Sequence, residues 1–194
     1  IEADTVLLAG EVLVPENGVL TFLPGTIITA TGFYGFQVAG SVLAEGTDEF
    51  PIIFSVSDTA GFYNPENGRG GWDGFNFMNT SLISDSSVFS NCIFEFGKAY
   101  GDSIEKMGGV FNIRDFGRIR ISDCGFNNNR AYYWGGAIFA ESANILIRDC
   151  SFNGNFCGTP GPPYGYGGAI CIRYSTIDLL GCRFTDNNST GIGG

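Results

Sequence analysis

The stretch Gly135–Asn155 reads G-G-A-I-F-A-E-S-A-N-I-L-I-R-D-C-S-F-N-G-N. Two further stretches follow the same plan: Gly108–Asn129 reads G-G-V-F-N-I-R-D-F-G-R-I-R-I-S-D-C-G-F-N-N-N, and Gly167–Asn187 reads G-G-A-I-C-I-R-Y-S-T-I-D-L-L-G-C-R-F-T-D-N. Each copy begins with a glycine pair and ends with a phenylalanine followed three residues later by an asparagine. Self-similarity of this kind is the signature of a repeat architecture, in which each copy forms one structural unit.

The apolar residues inside each copy alternate with polar ones. In the copy Gly108–Asn129, Ile119 and Ile121 alternate with Arg118 and Arg120, and this alternation has the period of a β-strand. A unit of short strands and turns cannot bury its apolar face alone, but units stacked about 4.8 Å apart can. No apolar stripe has the period of a helix. We therefore predict an all-β fold, a right-handed parallel β-helix (a solenoid) of roughly six to seven coils.

Stacking predicts that equivalent side chains form internal columns. The expected phenylalanine column contains Phe94, Phe126, Phe152 and Phe184, the cysteine column contains Cys92, Cys124, Cys150 and Cys182, and the asparagine column contains Asn129, Asn155 and Asn187. The cysteines would be small apolar fillers that remain thiols. The asparagines close the motif at a turn, where stacked amides can bond from coil to coil and satisfy the backbone.

The glycine pairs start at residues 108, 135, 167 and 193, so their spacings are 27, 32 and 26. A constant motif with variable spacing indicates a fixed coil that carries a loop of variable length. We predict a single domain over residues 1–194, with N-terminal coils in 1–56, a protruding loop at 57–71 and regular repeats over 72–194. The C-terminal end of the coil is expected to be open.

The composition excludes several classes of function. Twenty acidic and ten basic residues give a net charge of −10, which disfavours binding to nucleic acid or to anionic membranes. The chain has no histidine, so a mechanism that depends on histidine is excluded. No apolar run is long enough to span a bilayer as a helix.

Two groups of known proteins resemble this sequence. The stretch Val14–Thr26 (V-P-E-N-G-V-L-T-F-L-P-G-T), with Gly46-Thr47 and Pro51–Phe54, is similar to the opening coils of secreted bacterial right-handed β-helix repeat proteins. Gly-Gly-Ala-Ile at 135–138 and 167–170, combined with Phe-x-x-Asn, resembles the repeat of chlamydial-type polymorphic outer membrane proteins. That resemblance implies a β-helix displayed at the cell surface and implicated in adhesion.

Many parallel β-helices act on polysaccharides, and that chemistry needs paired carboxylates on one outer face or a calcium cluster. The aligned outward positions, such as Arg120/Leu146/Asp178, bring no two carboxylates together. Asp123 and Asp149 do stack, but at a tight bend, where aspartate commonly bonds the backbone. No spacing suits zinc or calcium, so we expect no enzyme, no metal and no cofactor.

The loops that precede the glycine pairs share one corner and are rich in aromatic residues. The candidate binding residues are Tyr100, Tyr132, Tyr133, Trp134, Tyr164 and Tyr166. Exposed tyrosine and tryptophan stack on sugar rings or anchor protein partners. Alternatively, these rings fold back over the strand edges as a small secondary core or pack against a neighbouring chain. The pattern leaves these interpretations open, and it does not separate a sugar from a protein ligand.

Two of the six cysteines lie outside the cysteine column. Cys157 is predicted to lie in a loop and Cys171 to point outward on the strand that follows. We predict a disulfide between them, which suits an oxidising, extracellular setting.

The sequence thus favours an extracellular or cell-surface β-helix with an adhesive or structural role. Its expected partner is a second copy of the chain, associating end to end or laterally, or a cell-surface protein or glycan. It could equally be a piece of a longer β-helix. Nucleic acid and direct membrane insertion are not expected. The alternative function is a carbohydrate-active β-helix enzyme of the polysaccharide lyase or hydrolase type.

Overall fold

The computed structural model describes residues 5–78, 86–101, 107–116, 118–159, 161 and 164–193. None of the described residues forms a helix long and apolar enough to cross a membrane. Short strands make up the regular structure. In chain order they are β1 (Thr5–Leu8), β2 (Val12–Val14), β3 (Val19–Phe22), β4 (Ile27–Ala30), β5 (Phe36–Val38), β6 (Ser41–Glu45), β7 (Ile52–Val56), β8 (Phe75–Met78), β9 (Ser87–Ser90), β10 (Cys92–Glu95), β11 (Phe111–Arg114), β12 (Ile119–Ser122), β13 (Gly125–Asn127), β14 (Arg130–Ala131), β15 (Ile138–Glu141), β16 (Asn144–Arg148), β17 (Ser151–Asn153), β18 (Phe156–Cys157), β19 (Ile170–Arg173), β20 (Thr176–Leu180), β21 (Arg183–Thr185) and β22 (Asn188–Ser189).

The strands form three long sheets that the chain visits in turn. Sheet A has the order β1-β4-β7-β10-β13-β17-β21, sheet B has β2-β5-β8-β11-β15-β19 in space, and sheet C has β3-β6-β9-β12-β16-β20. All pairings between these strands are parallel. The predicted parallel β-helix is confirmed, with seven strands in sheet A and six in each of the others. A short fourth sheet, sheet D, contains β14, β18 and β22.

Alternation along each strand decides which side chains enter the coil. In β12, Ile119 and Ile121 are buried while Arg120 is exposed, and the strand pairs in register with β16. The bend between sheets C and A is made by Asn91, Asp123 and Asp149, whose φ angles are 47°, 54° and 52°. Aspartate and asparagine tolerate this left-handed conformation better than other non-glycine residues. Asp123 and Asp149 are therefore bend residues, as predicted.

Each glycine of the pair is required for a different physical reason. The first glycine has a positive φ, 64° at Gly135 and 71° at Gly167, which L-residues rarely adopt. The second glycine lies under the backbone of the next coil: a Cβ on Gly109 would collide with the carbonyl oxygen of Gly136, and one on Gly136 would collide with that of Gly168. The pair is thus required by a tight turn followed by a close approach of two coils.

The phenylalanines of sheet A form one internal column. Their ring centroids are separated by 5.1 Å between Phe54 and Phe94, 5.0 Å between Phe94 and Phe126, 4.6 Å between Phe126 and Phe152, and 4.8 Å between Phe152 and Phe184. The rings of the last two pairs are stacked and nearly parallel, with interplanar angles of 4° and 5°. Phe54 extends the column beyond the repeats that the sequence alignment contains.

The column cysteines also lie inside the coil. Cys92, Cys124 and Cys150 are buried and Cys182 is half-buried. Burial raises the pKa of the Cys124 thiol, and a hydrogen bond with Cys124, together with burial, raises that of Cys150. The Cys124 and Cys150 thiols are therefore neutral in the folded chain at ordinary pH.

The asparagines form a hydrogen-bonded ladder at the corner after sheet A. Oδ1 of Asn155 accepts from the backbone N–H of Asn129 at 3.0 Å and from its Nδ2 at 2.9 Å. Nδ2 of Asn155 donates to the Phe126 carbonyl at 3.0 Å and to Oδ1 of Asn187 at 2.8 Å. Gly97 takes this position one coil earlier, and its N–H donates to Oδ1 of Asn129 at 2.8 Å. The ladder satisfies the polar backbone groups that the bend leaves unpaired.

Candidate functional site

The corner that precedes the glycine pairs carries five of the six candidate aromatic residues. Trp134 and Tyr166 form a bridge between adjacent coils, and Tyr132 packs against Tyr133 with centroids 4.8 Å apart. Tyr164 and Tyr166 are 53% and 41% exposed. The structure thus brings these five residues to one corner.

Trp134 folds back over the outer face of sheet B. Its ring lies 5.5 Å from the ring of Phe139, which is fully buried, and the guanidinium of Arg173 lies 4.5 Å from its centroid. Glu141 bridges Arg173, at 3.5 Å, and Arg114, at 2.9 Å. Trp134 therefore belongs to a secondary core that covers the outside of sheet B, which is one of the roles left open by the sequence.

Tyr100 belongs to the preceding coil, one coil before Tyr132, and its ring lies beside Phe33. The two rings are 5.9 Å apart and nearly perpendicular, at 77°. They line a cleft of about 440 Å³ between the turn that follows β4 and the loop that follows β7. The cleft is lined by Ala30, Thr31, Gly32, Phe33, Val56, Ser57, Asp58, Ala60, Gly68, Arg69, Gly70, Gly71 and Tyr100. We call it the aromatic cleft.

The loop over residues 57–71 forms the outer wall of the aromatic cleft. Its turns are closed by side chains: Oδ1 of Asp58 accepts from the N–H of Ala60 at 2.8 Å, and Oδ1 of Asn67 accepts from the N–H of Arg69 at 3.0 Å. Phe62 is 3% exposed and packs against Phe96 with centroids 5.4 Å apart. The loop was predicted to protrude, but its centre is anchored on the coil because Phe62 is buried there.

Lys98 fastens this loop to the coil. Its side chain is only 2% exposed, and its Nζ donates to the carbonyl oxygens of Gly61 at 3.2 Å, Asn64 at 2.8 Å and Arg69 at 3.0 Å. Burial, followed by the positive charge of Arg130, lowers the pKa of Lys98 from 10.5 to about 8. One buried ammonium thus holds three carbonyls of a loop without regular structure.

Lys98 should make stability depend on pH in a distinctive way. Between its folded pKa of about 8 and its usual value of 10.5, the unfolded chain binds more protons than the folded chain. The free energy of unfolding therefore rises with pH over this range, and this gain is lost as pH falls through 8. We expect the difference in free energy of unfolding between the natural chain and Lys98→Met to grow in favour of the natural chain from about pH 7 to about pH 10. Urea denaturation at both pH values measures it. Thiol and tyrosine titration cancels in the difference, and a difference that stays constant or shrinks would contradict the assignment.

Cys157 and Cys171 do not form the predicted disulfide; both are free thiols. Cys157 lies on β18 and packs against Ala99 and Ala131 in a small second cluster, whereas Cys171 lies on β19 in register with Phe139. The two thiols nevertheless lie near each other, because Cys171 acts electrostatically on Cys157. Burial raises the pKa of Cys157 to about 12 and also raises that of Cys171.

Free thiols predict a simple mass result. Alkylation of the unfolded chain without a reducing agent should add six groups, because all six cysteines are unpaired. The same treatment after reduction is the control and should give the same mass. An increase from four to six added groups on reduction would instead show that two of the cysteines are joined in a disulfide.

The outward columns of the described strands carry no paired carboxylates. In sheet C, Arg120, Leu146 and Asp178 share one register column, and Ser122, Arg148 and Leu180 share the next. Within the described strands, none of the register columns contains two carboxylates, and no group of three or more metal-binding side chains is present in the described part of the chain. Two charged residues that were not singled out from the sequence, Asp58 and Arg69, lie instead at the aromatic cleft. The glycine-rich run 68–71 was the available signal for a close approach there.

Comparison with protein-family models matches residues 126–141 and 149–173 to the Chlamydia polymorphic membrane protein (Chlamydia_PMP) repeat. Searches of curated proteins and of solved structures found no match. Each matched segment runs from sheet A, through the asparagine ladder and the glycine pair, to the end of a strand in sheet B. The repeat is that of a surface or outer membrane protein family. The chain is therefore a parallel β-helix with two segments that match the Chlamydia polymorphic membrane protein repeat.

Proposed function

We propose that the chain is an adhesive scaffold displayed outside the cell or at its surface. The observation that carries this proposal is that the coil and the corner loops hold different kinds of residues. The repeated positions of the coil are occupied by stacked phenylalanines, cysteines and asparagines, whereas exposed aromatic residues and unpaired charged residues occur in the corner loops. A stiff rod with variable loops presents binding groups at fixed positions.

The match to a repeat of surface proteins supports the location. The absence of paired carboxylates from the register columns of the described strands supports binding without catalysis, because glycoside hydrolysis needs two such groups facing one bond. Partners of the expected kind are glycans or proteins of another surface, or further copies of this chain.

The test uses the whole chain on a glycan array and on intact cells, together with assays for new reducing or unsaturated ends in a panel of polysaccharides. We expect retention on a surface or glycan without turnover. Turnover of any polysaccharide would overturn the proposal in favour of an enzyme. Failure to bind any surface, glycan or second copy, the last measured by light scattering, would overturn it as well. Heat-unfolded protein is the control for nonspecific adsorption.

A further inference from the structure

We infer that the aromatic cleft is a binding site for the ring of a neutral saccharide. This inference rests on the proposed adhesive function and names the ligand class and the site. It depends on three properties of the cleft: its apolar wall, its two separate charges and its rigid loop.

The apolar wall is formed by Phe33 and Tyr100. Phe33 lies directly against Gly68, where a Cβ would collide with the phenylalanine ring, so the loop accepts the ring only because residue 68 is glycine. Tyr100 packs edge-on to Phe33, 5.9 Å away. A cavity of about 440 Å³ has the size of small-ligand sites. Aromatic walls of this kind pack against the C–H face of a sugar.

The polar groups of the cleft are available to a ligand. Asp58 and Arg69 both line it, yet no ion pair joins them, and none involves either residue in the part of the chain that the structure describes. Oδ1 of Asp58 accepts one backbone N–H, which leaves Oδ2 for a further donor. Ser57 and Tyr100, each of which carries a hydroxyl group, also line the cleft.

This combination favours vicinal hydroxyl groups. A hydroxyl can donate to the carboxylate of Asp58 while its neighbour accepts from the guanidinium of Arg69, so one uncharged ring satisfies both charges. An anionic sugar would face Asp58 in a chain of net charge −10, and a cation would face Arg69. Charge therefore selects a neutral ligand.

The loop holds its polar groups in place before a ligand arrives. The backbone of Arg69 is fixed on both sides, because its N–H donates to Asn67 and its carbonyl accepts from Lys98. The turn at Asp58 is closed by its own side chain. Fixed groups lower the entropy that binding must overcome.

The test is saturation-transfer NMR and calorimetry on the full chain with glucose, galactose, mannose and N-acetylglucosamine. Two charged comparators are included, glucuronic acid, which is anionic, and phenylalanine, which is a zwitterion. We expect one or more of the neutral sugars to bind with a roughly millimolar dissociation constant. Asp58→Asn, which can still close the turn, and Arg69→Met should each weaken binding about tenfold. Arg183→Met and Tyr174→Phe, which alter exposed residues outside the cleft, are the matched controls and should leave it unchanged.

Three outcomes would overturn the inference: no binding of any neutral sugar, tighter binding of either charged comparator, or binding that both cleft substitutions leave intact. The double variant Asp58→Asn/Arg69→Met separates this inference from the proposed function. If it still adheres to cells while neither it nor the natural chain binds free sugar, the cleft assignment fails and the adhesive function stands. If the natural chain binds sugar but adheres to no surface, the adhesive function fails and the cleft stands.

Discussion

Replacement of Phe126 by alanine is expected to lower the free energy of unfolding by about 3–5 kcal/mol, the range for deleting a fully buried aromatic ring. Phe126 is 0% exposed and stacks on both sides, 5.0 Å from Phe94 and 4.6 Å from Phe152. The neighbouring rings belong to strands fixed by the sheet A ladder, so they cannot collapse into the space that is left. Urea denaturation followed by circular dichroism measures the change.

Phe184 provides the control from the same column. It is 48% exposed and stacks on Phe152 alone among the described residues. Phe184→Ala should therefore cost only about 1 kcal/mol. Equal losses for the two variants would show that the column is not a continuous buried stack.

Replacement of Asn155 by alanine is the second large change, and we again expect a loss of about 3–5 kcal/mol. The amide is fully buried and makes four side-chain hydrogen bonds, two to Asn129, one to the Phe126 carbonyl and one to Asn187. The substitution leaves buried backbone donors and acceptors without partners, and these cannot be hydrated inside the corner.

Asn153→Ala is the matched control for this ladder. Asn153 lies on the same strand, two residues earlier, but it is exposed, so its loss should change stability by less than about 0.5 kcal/mol. Serial replacement in the ladder should also be non-additive, because Asn129 and Asn155 share two bonds. A small effect of Asn155→Ala would mean that water replaces the amide at this corner.

Much of the coil could be predicted from the sequence. The glycine pair, the alternating isoleucines and the Phe-x-x-Asn motif each return at an equivalent place in the next coil, so alignment of the copies also aligns the strands. Phe54 lay outside the aligned repeats because its coil has Ile52 where the repeat has cysteine. Its place in the column became visible only through the register of β7 with β10.

The candidate site was much less accessible from sequence. Cys157 was placed in a loop, but it lies on β18, a short strand of sheet D, and it is fully buried there. Trp134 and Tyr100 both precede glycine pairs, yet one covers sheet B and the other lines the cleft with Phe33. The two residues occupy different positions of their coils, because Trp134 pairs with Met107, whereas Lys98, two residues before Tyr100, pairs with Arg130.

The sequence by itself determined the parallel coil, its columns and the corners from which loops arise. It could do so because each contact in the coil joins a residue to its counterpart one turn later. The same residue types therefore recur at equivalent positions of each copy, and the recurrence is visible in the sequence. Only the tertiary structure decided which carbonyl oxygens accept from the buried Lys98 and that Tyr100 packs against Phe33. Each of these loop contacts occurs once, with Lys98 up to 37 positions from its acceptors, and a contact that occurs once leaves no period in the sequence.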